Sequence, residues 1–160
     1  MIIIDGHNLI PKIRGLSLSM LDDEMQLIQL LGEYARLSRK KLEVYFDNAP
    51  FDKAGTRKIG SVTAHFVRQG MTADDAIVQR ISKMKRRAEY VKVITSDQRL
   101  QRMVQNHQAK TISSDEFVKE IERVFSKSPS GGKPDPDRLS PNEIDHWLEI
   151  FTNKNHTRKD

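Results

Sequence analysis

The run Met1-Ile-Ile-Ile-Asp-Gly-His-Asn-Leu9 constrains the fold more than any other stretch of the chain. Four apolar residues lead straight into an aspartate, a glycine and two polar side chains. A short, unbroken apolar run ending in a turn signal is the pattern of a strand buried on both faces, and hence of a parallel sheet. Ligand sites in open parallel sheets lie just past the carboxyl ends of the strands. Asp5 and Asn8 are therefore expected in a functional crevice, and the remaining chain can be read for strands that end the same way.

The loop 11–15 carries Lys12 and Arg14. Ser19 to Lys41 reads as a helix, with Leu21, Met25, Ile28, Leu31 and Ala35 at helical spacing and Ser19 with Asp22 as a capping pair. Leu42 to Phe46 reads as a second strand, and Asp47-Asn48-Ala49-Pro50 follows it. Phe51 to Gly60 is polar, carries Lys53, Arg57 and Lys58, and reads as an exposed loop. Ser61 to Val67 alternates as a third strand, expected at an edge.

Thr72 and Asp75 form a capping box for a helix over 73–87, with Ala76, Ile77, Ile81 and Met84 or Ala88 as its apolar face. Tyr90 to Thr95 reads as a fourth strand ending in Ser96-Asp97, followed by a helix to Asn106. Ala109 to Ile112 is a short fifth strand, and Ser113 with Glu116 caps a helix to Ser126. Strands alternating with helices predict a three-layer α/β/α fold around a mainly parallel sheet of about five strands.

Domain boundaries follow from composition. Residues 1–126 form the α/β domain and 127–139 a Pro/Gly/Ser linker. Residues 140–152 form a C-terminal helix started by Ser140-Pro141-Asn142-Glu143, and 153–160 read as a disordered tail. The helix gathers Ile144, Trp147, Leu148 and Phe151 on one face and is too short to stand alone. That face is expected to pack on its own core or, in a homodimer, on a neighbour's.

The chain has no cysteine, so thiolate nucleophiles, disulfides and cysteine-bound metals are excluded. No apolar run reaches the roughly 18 residues of a membrane helix, and no leader precedes the first strand, so a cytoplasmic protein is expected. Lys plus Arg is 27 against 22 for Asp plus Glu, a net charge of +5 that suits a polyanionic partner.

In a basic protein, an acidic cluster asks for a cause. Asp5, Asp47 and Asp97 each end or follow a strand, and Asp74 or Asp75 opens a helix at the same sheet edge. Neighbouring carboxylates repel unless a cation sits among them. Hard oxygen donors without His or Cys select Mg²⁺ or Mn²⁺, the ions of phosphoryl chemistry. Thr95 and Ser96 are placed to orient waters or ligands behind them. Asn8 either serves the site or ties the loop backbone.

Together, Asp5-Gly6-His7-Asn8, Phe46-Asp47, Thr72-Ala73-Asp74 and Thr95-Ser96-Asp97 resemble the NYN domain of the PIN-like nuclease superfamily, and its YacP-like bacterial branch in particular. The resemblance spans residues 1 to 125. It implies a metal-dependent endoribonuclease, with roles for Asp5, Asn8, Asp47, Asp74 and Asp97 and one or two ions of Mg²⁺ or Mn²⁺ held by the four aspartates. His7 stands where the family often has tyrosine. Asp75 reads better as a cap, and the metal role falls to Asp74. RNA is the implied partner, single-stranded and including mRNA on ribosomes, with Lys12, Arg14, Lys53, Arg57, Lys58 and Arg68 as candidate contacts. The alternative is a catalytically silent RNA- or ribosome-binding PIN-like module.

Overall fold

Ile2–Asp5 forms β1, buried along its whole length. It pairs in parallel with β2 (Leu42–Ala49) on one side and β5 (Lys92–Ile94) on the other, placing Ile4 opposite both Val44 and Ile94. Full burial of an isoleucine side chain contributes about 2 kcal/mol, and this triplet lies in the middle of the sheet. The computed structural model describes residues 1–13, 16 and 22–127. Arg14, the expected Ser19 cap, Leu21, the linker from Ser128, the 140–152 helix and the 153–160 tail lie outside them.

Strand alternation sorts the helices into two layers. Ile2 and Ile4 pack with Leu27, Ile28 and Leu31 of α2 (Asp23–Ser38), reached after a short α1 (Gly6–Leu9) and one 3₁₀ turn, and with Phe117 and Ile121 of α5 (Ser114–Ser126). Ile3 packs on the other face, with Ile77 and Ile81 of α3 (Ala73–Met84) and Leu100 and Val104 of α4 (Gln98–Gln105). The expected capping contacts are present: the Thr72 hydroxyl accepts from the Asp75 N–H, and the Ser113 hydroxyl from the Glu116 N–H. At the amino end of the strands, Arg80 of α3 donates from Nη2 to Glu43 of β2 at 2.9 Å, bracing α3 on the sheet.

The sheet has six strands in the order β3-β4-β2-β1-β5-β6, with β3 at Gly55–Ile59, β4 at Val62–Arg68 and β6 at Lys110–Ile112. This corrects two expectations. The polar stretch after Phe51 is not all loop: Gly55–Ile59 is an antiparallel edge strand joined to β4 through Gly60 at φ 60°. The third expected strand, β4, is consequently internal. An edge strand with solvent on both faces has no apolar alternation to betray it, and its charges discourage edge pairing.

Smaller differences have local causes. Met25 is 42% exposed, and the buried stripe of α2 runs instead through Leu27, Leu30, Leu31 and Tyr34. Helix α3 stops at Met84, not Arg87; a 3₁₀ segment, Lys85–Tyr90, then turns Ala88 into the core and leaves Lys85 to Arg87 exposed. The fourth expected strand is shortened by that segment to Lys92–Ile94.

Candidate active site

The chain leaves β1 toward β2, β4 and β3 on one side and then crosses back from β4 to β5 and β6 on the other. Such a switch point opens a crevice past the strand ends. Asp5 and Thr95 meet across it, the Thr95 hydroxyl donating to Asp5 Oδ2 at 3.3 Å. Thr95 is fully buried and Asp5 is 8% exposed. Burial, then the charge of Asp74, pushes the Asp5 carboxyl up to about 6; Asp47 adds to the rise, while Thr95 and His7 oppose it.

Asp97 caps α4, its Oδ1 accepting from the Arg99 N–H at 2.8 Å. Its own N–H donates to the Thr95 hydroxyl at 3.1 Å, so one threonine links two of the acids. Asn8 Oδ1 accepts the Ser96 N–H at 2.8 Å and the Ser114 hydroxyl at 2.7 Å. Ser96 Oγ in turn accepts the Ser114 N–H at 3.0 Å. Asn8 and Ser96 thus tie the ends of β1 and β5 to the start of α5.

Asp47 sits at a bulge. Phe46 is in register with Phe66 and Ala49 with Arg68, so β2 spends one more residue than β4 between these pairs. Asn48 takes up the difference in the left-handed region, at φ 58°. A bulge re-aims the side chain it carries. Asp47 Oδ1 lies 2.8 Å from His7 Nδ1, and His7 Nε2 lies 2.7 Å from Glu24 Oε1. The hydrogen bond to Glu24 raises the His7 pKa above its usual value, burial opposes this, and Asp47 adds to the rise. Gly6 permits the arrangement: a Cβ there would stand 2.3 Å from the buried Phe46 ring.

Asp74, half-buried in the first turn of α3, completes the acidic group. Burial, then the charges of Asp97, Asp47 and Asp75, raises its pKa. Asp75 is exposed.

A family model for the YacP-like NYN domain matches residues 2–152. The chain belongs to that family, which is of nuclease type. Among solved structures it is similar to Rae1 (YacP) from Bacillus subtilis, at 22% identity and a TM-score of 0.66, covering 99% of this chain and 85% of that one. The corresponding values for a tryptophan-to-leucine mutant of Rae1 (YacP) from the same organism are 24%, 0.64, 79% and 77%. At this identity the likeness supports the fold. No curated protein matches.

Nucleases of the NYN type generally use divalent cations, and the donor chemistry here suits one. The acids are all oxygen donors, and the buried Asp5 is held partly against its own ionisation by Asp74 and Asp47, a repulsion that a cation relieves. Among the described residues, no group of three or more carboxylate or imidazole side chains converges closely enough to enclose an ion. The hydrogen bonds explain the spread, because Asp47 turns one oxygen to His7 and Asp97 turns one to the α4 amides.

The expected basic contacts divide. Lys12 pairs with Asp115 at 3.3 Å. Lys53, Arg57, Lys58 and Arg68 are all exposed; Arg68 ends β4 opposite the bulge and Lys53 lies in the turn after it, whereas Lys58 pairs with Thr63 toward the amino ends of the strands. Arg57 and Arg68 each lie 5.1 Å from an aromatic centroid, of Phe66 and Phe51 respectively. Glu24, Ser114 and Phe51 were not candidates on sequence grounds. The first two act through partners distant in sequence, and Phe51 carries no polar signal. No described helix is long and apolar enough to cross a membrane.

Proposed function

We propose that this NYN domain is a metal-dependent endoribonuclease that hydrolyses phosphodiester bonds of single-stranded RNA, mRNA on ribosomes among its substrates. The carrying observation is Asp5: a buried carboxylate at the switch point, raised to about 6 by burial and by Asp74 and Asp47. Catalytic sites are where such perturbed acids concentrate.

Asp5, Asp47, Asp74 and Asp97 would hold one or two ions of Mg²⁺ or Mn²⁺. When bound, such an ion neutralises the phosphate and makes a water nucleophilic at neutral pH. Thr95 orients Asp5, His7 orients Asp47, and Asn8 with Ser96 holds the loop that carries Asp97. Arg57, Arg68, Lys53 and Lys58 grip the backbone and set its position without reading sequence. Unpaired RNA fits because its backbone bends into a crevice and its bases are accessible.

The silent RNA- or ribosome-binding module draws on the spread of the four acids. Calorimetry separates the two readings. Titration of Mn²⁺ into wild type should give a saturable heat that Asp5→Asn lacks, with RNA bound in chelator by both proteins. RNA binding in chelator with no Mn²⁺ heat in wild type would favour the silent module. Turnover of a generic phosphomonoester without RNA cleavage would point to a phosphatase instead.

A further inference from the structure

Phe51 is 80% exposed, more than any other large hydrophobic side chain described. It is no frayed end, since the N–H groups of Lys53 and Ala54 both close on the Pro50 carbonyl at 2.9 Å and set the turn that displays the ring. Leaving a phenylalanine in water forgoes about 2 kcal/mol of burial. The Arg68 guanidinium stands 5.1 Å from its centroid. Between β3 and β4, Arg57 stands 5.1 Å from Phe66, which stacks on the Phe46 ring of β2 at 5.5 Å. The exposed ring is thus held against a cation that ends β4, a strand that carries a second cation–aromatic contact.

Its position ties it to the acids. Phe51 follows Asp47 across the end of β2, and Arg68 ends β4, in register with Ala49, just before the turn into Asp74. We infer that Phe51, with Arg68, is a stacking platform for one unpaired nucleobase of an RNA strand lying across the acidic crevice. The inference rests on the functional reading above. An apolar protein partner would want an apolar surround, whereas this ring has the Arg68 guanidinium over it and lies two residues before Lys53, whose carbonyl accepts from Arg57; all three cations are exposed and complementary to a phosphate backbone. Every base has a π-face, so the platform tolerates any sequence. A duplex hides those faces, so it also selects unpaired strands.

Fluorescence anisotropy of a labelled unpaired RNA decamer, in chelator, tests this with the full chain. Phe51→Ala should weaken binding by about five- to a hundredfold, the range of one base–aromatic stack. Phe51→Trp should restore it, and Tyr90→Ala, an exposed aromatic before the amino end of β5, should bind like wild type. An oligonucleotide of the same length with abasic positions should bind wild type and Phe51→Ala alike. Equal binding of the base-bearing strand by wild type and Phe51→Ala would overturn the platform and leave the nuclease reading intact. So would an equal loss on the abasic strand or an equal loss in Tyr90→Ala. Wild type that binds neither strand would overturn the platform, while the nuclease reading stands or falls on cleavage in metal. Melting temperatures of the variants exclude a folding defect.

Discussion

Asn8 and Ser114, 106 residues apart, are joined by a 2.7 Å hydrogen bond in which the serine hydroxyl donates to the amide oxygen. The same oxygen receives the Ser96 N–H at 2.8 Å. One side chain thereby holds three segments together behind the acids.

Removing that acceptor leaves two donors without it. Asn8→Ala should lower unfolding free energy by about 1–3 kcal/mol in urea melts. Asn8→Asp keeps an acceptor oxygen and should retain most of that stability near pH 5. A loss in Asn8→Asp as large as in Asn8→Ala would refute this.

The raised Asp5 pKa carries a sign. The folded protein binds the Asp5 proton more tightly than the unfolded chain, so without metal its stability falls as pH rises from about 4 to about 6. The penalty above pH 6 is at most about 3 kcal/mol. Asp5→Asn keeps an acceptor for Thr95 and removes the charge. It should melt several degrees above metal-free wild type at pH 7, with the gap closing toward pH 4. Mn²⁺ should raise the melting temperature of wild type and leave the mutant unchanged.

His7 has the opposite sign. Its folded pKa is raised above 6.5, so its ion pairs contribute fully below pH 6.5 and fade as pH rises through the raised value. The pairs are about a third exposed, so screening limits them. His7→Ala should cost about 1 kcal/mol at pH 6 and less at pH 9 in denaturant melts. A cost that grows with pH would contradict the clamp.

Gly6→Ala forces a methyl to within 2.3 Å of the Phe46 ring, which is fully buried and cannot swing aside. Overpacking of this kind costs about 1–3 kcal/mol, measurable in urea. A mutant as stable as wild type would show that the ring has room.

The parts of the fold driven by burial are visible along the chain. The Ile2–Ile4 run, the Thr72 cap and the alternation of strands and helices all rest on local chemistry that composition and spacing display. Edge strand β3 does not, because Gly55 to Ile59 buries almost nothing and so has no period to read. Without a legible β3, β4 is the outermost strand that the pattern displays. The bulge at Asp47 and Asn48 is a mismatch between two strands and has no signature in either. Glu24 and Ser114 have the same character: an acid near a helix start and a serine beside a cap are ordinary residues until the fold brings His7 and Asn8 against them.

Incubation of wild type and Asp5→Asn with end-labelled single-stranded RNA, free and presented on translating ribosomes, in Mn²⁺, Mg²⁺ and chelator, tests the central claim most directly. The account predicts internal cuts by wild type in at least one metal, none in chelator, and none by the mutant under any condition. Cutting by Asp5→Asn at the wild-type rate, or by wild type in chelator, would contradict it.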